Sequence, residues 1–163
     1  LVIAPRHLER LPEIERELAA SGRRVERRSQ LGSRVLANGD VLILDTTGEL
    51  AALYAAASMA FVGGTLANVG GHNLLEPLIE GCPVAYGPRI ETVRESAAIA
   101  RESGAGIEVA DAAGLCDAIA NFAADAKQWR ARGESAKQFL ATRRGSAARI
   151  ASWIEEHVGE AVP

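Results

Sequence analysis

The sequence predicts an α/β fold, a Rossmann-like parallel sheet with helices on both faces. Short apolar runs of strand length alternate with stretches whose apolar residues recur at helical spacing. Such alternation is the mark of parallel strands joined by crossover helices. The start of the chain shows one complete unit: after a first apolar run, Pro12 suits a first helical turn, Ile14 and Leu18 share a face, and Gly22 follows Ser21 as a stop before the next run.

The strands expected in order are residues 1–4, 23–27, 41–44, 59–62 and 83–86, with a sixth at 106–109. Helices are expected over 49–57, 73–80, 92–102, 112–122, 126–142 and 146–158, and Asp111 and Asp125 precede two of them in N-cap position. Residues 29–39 are polar and without period, which predicts a surface loop before the third strand. The carboxyl end is helical and alanine-rich.

A chain of 163 residues with 48% apolar and 24% charged side chains matches one compact domain. Its 18 basic and 21 acidic residues leave a net charge of -3, so nucleic acid is not an expected partner and any anion site is local. Cys82 and Cys116 stand far apart with no metal-ligand spacing, which excludes a zinc site and a secreted disulfide framework and fits a reducing cytoplasm. The sequence shows neither a signal leader nor an apolar run near the ~20 residues of a membrane span, and the piece reads as soluble. It opens directly on a strand, without an initiator methionine, as if cut from something longer.

Chemistry concentrates in loops after the carboxyl ends of strands, the edge where open α/β sheets bind ligands. The first is Pro5-Arg6-His7, where Arg6 is either a phosphate clamp or a solvated surface cation. The second is Asp45-Thr46-Thr47-Gly48-Glu49, entering a helix. Its free N–H groups suit an anion, and its plainer reading is capping, with Thr47 as N-cap and Glu49 in the first turn. The third joins Phe61-Val62-Gly63-Gly64-Thr65 to Gly70-Gly71-His72-Asn73-Leu74-Leu75-Glu76-Pro77. Two glycine pairs so close together let the backbone approach a ligand, beyond what stability requires. Asn73 and Glu76 have the spacing of a capping box, or Glu76 meets the vicinal hydroxyls of a ribose. His72 is an anion-facing donor or a polar residue at the helix start. No Asp-x-Asp, GxGxxG, phosphate loop with GK[ST] or GxSxG elbow occurs, so no cofactor, no metal and no metal-bound diphosphate are expected.

LVIAPRHLER at the start, DTTGEL from Asp45, FVGGTLANVGGHNLLEP from Phe61 and GCPVAYGP from Gly81 together resemble the 3-deoxy-D-manno-octulosonic acid (Kdo) transferase family, over essentially the whole chain. The resemblance implies the carboxyl-terminal, donor-binding half of a two-domain GT-B glycosyltransferase. It implies CMP-Kdo as donor and a lipid A precursor, lipid IVA, as acceptor, in lipopolysaccharide biosynthesis at the cytoplasmic face of the inner membrane. By the same resemblance the CMP contacts fall on Pro5, Arg6, Thr47, Gly48, Glu49, Asn73, Leu74, Leu75 and Glu76, with Gly63, Gly64 and His72 as further donor contacts. The transfer inverts the anomeric centre. Acceptor, membrane contact and a catalytic carboxylate belong to an amino-terminal half, so no catalytic residue is expected here and the piece alone is expected to be inactive and to self-associate. Leu74 stands where many members have proline, and Arg89-Ile90-Glu91-Thr92 replaces an aromatic and polar run. Two other readings remain: a UDP-sugar-dependent GT-B transferase or epimerase, and a catalytically silent nucleotide-binding module.

Overall fold

The computed structural model describes residues 1–143 and 146–158. The chain divides into two compact units, Leu1–Leu53 and Tyr54–Pro163. In the first, β3 (Val41–Ile43) lies between β1 (Val2–Ile3) and β2 (Val25–Arg27), all parallel, with Val2 opposite Leu42 and Val25 opposite Val41. Strands flanked on both sides need apolar residues in succession, and all of β3 is buried while β1 is partly exposed. The helix α1 (Leu11–Ala19) follows a 3-10 turn at Leu8–Arg10 and has Pro12 in its first turn. Leu11 is buried, Ile14 and Leu18 are half-buried, and the chain turns at Gly22, as the sequence predicts.

One expectation is corrected here. Residues 29–39 are not loop throughout, because β2 runs straight into a one-turn helix, α2 (Arg28–Leu31). Local pattern does not announce it, since its support comes from side chains beyond the turn itself. Asp45 Oδ1 accepts the N–H of Ser29 at 2.8 Å, and Arg34 donates to the carbonyls of Gln30 and Leu31 at 2.7 and 3.2 Å. These bonds satisfy both ends of a turn too short to hold itself.

The helix α3 (Leu50–Ala56) carries the chain across the boundary at Leu53. In the second unit β5 (Val84–Tyr86) lies between β4 (Ala60–Phe61) and β6 (Gly106–Glu108), again parallel. Alternation along β5 sorts its neighbours. Val84 and Tyr86 join Leu74 and Leu78 at α4 (Leu75–Ile79), Ala97 and Ala100 of α5 (Arg94–Glu102), and Ala136 and Leu140 of α7 (Ala126–Thr142). Ala85 faces the other way, with Val109 and Ala118 of α6 (Ala112–Ala124). This sheet is therefore covered on both faces. Asp111 and Asp125 accept the N–H groups of Gly114 and Gln128 at 2.9 and 3.1 Å, capping α6 and α7 as expected.

The chain continues into α8 (Ser146–Val158). Among the described residues no helix is long and apolar enough to cross a membrane.

Candidate functional site

Pairing of β1 with β3 brings two of the expected loops to one sheet edge. Pro5 and Arg6 leave the carboxyl end of β1, and residues 45–49 leave that of β3. Pro5 is half-buried and Arg6 exposed, while Thr47 and Gly48 are exposed at the bend before α3. Gly48 has a φ of +85°, a conformation that side chains rarely adopt, and a Cβ built there would meet nothing within 4 Å. Its outward face is open, so glycine serves the backbone geometry alone.

The capping expected of Thr47 does not occur. The carbonyl of Glu49 accepts the first helical bond of α3, from Leu53 N at 3.1 Å, and the Thr47 hydroxyl has no bonded partner among the described residues. Glu49 itself is fully engaged. Its Oε1 accepts from Arg28 Nε at 3.0 Å and Nη2 at 2.8 Å, and Oε2 accepts the hydroxyl of Thr46. These bonds hold its carboxyl below the usual carboxylate range, Thr46 first and Arg28 second. Asp45 is tied in the same way: Oδ2 accepts the Ser29 hydroxyl at 2.6 Å, opposite the Ser29 N–H bond to Oδ1. The Ser29 hydroxyl is the largest cause of its lowered pKa. Sequence reading missed Arg28 and Ser29. Their position directly after a strand was the available signal, obscured by treating that stretch as loop.

The second unit holds Gly63, Gly64, His72, Asn73, Leu74, Leu75 and Glu76. One glycine of each pair is also required by the packing of the chain. Gly64 has φ +80°, and a Cβ there would collide with the Gly70 carbonyl oxygen. A Cβ at Gly71 would lie 2.8 Å from the Thr65 side chain. The loop closes on itself, so these glycines serve chain packing, while Gly63 faces open space. Thr65, fully buried, is the clasp: its hydroxyl donates to the Val62 carbonyl at 2.7 Å and accepts the N–H of Gly87 at 2.8 Å. It thereby joins the loops after β4 and β5.

The capping box is corrected. Asn73 Oδ1 accepts the N–H of Leu75 at 3.0 Å, one position short of the reciprocal arrangement, and Glu76 falls at the second residue of α4. The carboxylate of Glu76 is exposed and makes no hydrogen bond or ion pair among the described residues. It lies near enough to Tyr54 that its charge, after burial, helps raise the pKa of that hydroxyl. Leu74 is fully buried, so only its backbone can face a ligand; His72 and Leu75 are half-buried. A shallow depression of about 360 Å³, open to solvent, lies beside Asn73 and Leu75 and is lined also by Thr92, Val93, Glu95 and Ser96. Among the described residues no group of His, Cys, Asp and Glu gathers to hold a metal ion.

No protein-family model matches the chain. It is similar to the 3-deoxy-D-manno-octulosonic acid transferase of Bordetella pertussis, 33% identical over 159 residues, which cover 98% of this chain and 37% of the relative. The protein of the same name from Chlamydia muridarum is 42% identical over 137 residues, 83% of this chain and 31% of that one. The chain thus spans about a third of the length of these curated relatives. Among solved structures it is similar to the C-terminal CMP-Kdo binding domain of WaaA from Acinetobacter baumannii, with a TM-score of 0.73, 30% identity, and coverage of 84% of this chain and 72% of that one. The architecture is that of the carboxyl-terminal part of a GT-B glycosyltransferase. The chain belongs to the 3-deoxy-D-manno-octulosonic acid transferase family.

Proposed function

We propose that the chain holds the CMP part of CMP-Kdo in an enzyme that transfers Kdo to a lipid A precursor at the cytoplasmic face of the inner membrane. The observation that carries this reading is the state of Glu76. Asp45 and Glu49 are consumed by bonds within the chain, whereas Glu76 is exposed and offers two acceptor oxygens that no described residue occupies. Vicinal ribose hydroxyls are two donors at matching separation. The remaining proposed nucleotide contacts are Pro5, Arg6, Thr47, Gly48, Asn73, Leu74 and Leu75, with Glu49 taking part through its backbone. Gly63, Gly64 and His72 are proposed donor contacts. Gly64, packed on Gly70, acts there through its backbone.

A nucleoside monophosphate leaving group carries less charge than a diphosphate, so Arg6 and backbone N–H groups suffice where a diphosphate would call for a cation. Neither engaged carboxylate is available as a general base, so acceptor activation and membrane contact are assigned to parts of the enzyme beyond these residues. Calorimetric titration of the chain with CMP, UDP and CMP-Kdo tests the reading. CMP and CMP-Kdo are expected to bind without turnover, and a clear preference for UDP would reject the assignment in favour of a UDP-sugar enzyme. Loss of CMP binding in folded Arg6→Ala and Glu76→Gln variants would support a nucleotide site over a silent module.

A further inference from the structure

Three consecutive residues at the end of β2 hold groups from other segments. Arg27 donates to both oxygens of Glu15 in α1, at 2.5 and 2.6 Å. Arg28 places two N–H groups on Glu49, and Ser29 places its backbone and hydroxyl donors on Asp45. Residues 45–49 are thus clamped at both ends, at Asp45 by Ser29 and at Glu49 by Arg28, with Thr46 closing the second clamp from inside. Thr47 and Gly48 stand between the clamps, exposed.

We propose that Arg28 is a positioning residue of the nucleotide site, acting through Glu49 to fix the Thr47-Gly48 backbone against CMP. The proposal deepens the CMP reading above and rests on it. Glu49 already accepts three hydrogen bonds on its two oxygens, which leaves little acceptor capacity for a ribose and gives it the role of an anchor. Stability does not account for the arrangement. The Arg28 and Glu49 side chains are 38% and 37% exposed, and ion pairs that open to water contribute little to folding. What two guanidinium N–H groups on one carboxylate oxygen do supply is a fixed geometry, and N–H donors aimed at an anion depend on geometry.

The test is CMP titration of the full 163-residue chain in wild type, Arg28→Ala, Glu49→Gln, the double variant and Glu76→Gln, each with a melting curve. Arg28→Ala and Glu49→Gln are each expected to weaken CMP binding about tenfold, the scale of a charged hydrogen bond, with melting nearly unchanged. The double variant is expected to bind no more weakly than either single, because both remove one clamp. A combined Arg28→Ala and Glu76→Gln variant is expected to show the product of the two losses, since Glu76 acts separately. The pH profile gives a further readout. Glu49 faces Arg28 from α2 and Thr46 from its own loop. Wild-type binding is expected to weaken as pH falls through the lowered Glu49 value, and this step is expected to be missing in Arg28→Ala, where the clamp is already open.

Unchanged CMP affinity in Arg28→Ala, or multiplying losses in the Arg28 and Glu49 variants, would overturn the proposal while leaving CMP binding intact. Absence of CMP binding by the wild-type chain would overturn both.

Discussion

Three carboxylates follow β3 and β4, two in a loop and one in the first turn of α4, and their surroundings give them different work. Asp45 and Glu49 hold backbone in place, and Glu76 is left to receive a ligand. Glu76→Gln keeps shape and removes charge. It is expected to weaken CMP binding at least tenfold, or ~1.4 kcal/mol, while the denaturation midpoint in urea stays that of wild type. Gly64 gives the opposite result. At φ +80°, with the Gly70 carbonyl oxygen where a methyl group would stand, Gly64→Ala meets both backbone strain and a clash with main chain. A loss of about 2 kcal/mol or more in urea denaturation is expected. A neutral Gly64→Ala would show that the loop opens more readily than its contacts imply.

Among the elements, α7 sets intrinsic preference against packing. Gly133 stands inside this helix, where propensity alone would favour alanine by about 1 kcal/mol. A Cβ at Gly133, however, would run into the carbonyl oxygen of Gly81, in the turn after α4. Backbone on backbone cannot yield like a side chain, so Gly133→Ala is expected to destabilise by ~2 kcal/mol in spite of its helix preference. Melting of the variant above wild type would show that propensity prevails. The caps behave more simply. Asp111→Ala and Asp125→Ala each remove one bond to a helix N-terminus and are expected to lower stability by about 1 kcal/mol apiece. The helix α2 lies between these cases: a turn that its own residues do not specify is completed by Asp45 and Arg34.

For the whole molecule, pH acts from both sides. Glu15, Asp45 and Glu49 have pKa values lowered chiefly by Arg27, Ser29 and Thr46 respectively. A depressed folded value means their stabilisation is present above the unfolded carboxylate range and is lost as pH falls through the folded values. Acid unfolding followed by circular dichroism is expected to begin there, and earlier in Arg27→Ala. Cys82 works in the reverse direction. Burial pushes its thiol from 9.0 up to about 11, so its share of stability is present below about 9 and is lost as pH rises through about 11. Near neutral pH a thiol reagent is expected to label exposed Cys116 quickly and buried Cys82 only on unfolding; equal rates would contradict the packing around Cys82. The sequence by itself determined the parallel α/β class, the order of the strands and of the longer helices, the caps at Asp111 and Asp125, and the family, because periodicity, N-cap chemistry and glycine turns are local and each is written in adjacent residues. Only the tertiary structure decided what individual loop residues do. Whether Glu49 binds or anchors depends on Arg28, distant in the chain, and whether Gly64 serves a ligand or Gly70 depends on how a loop folds back. Pairings of that kind arise when separate segments meet, and no local pattern encodes them.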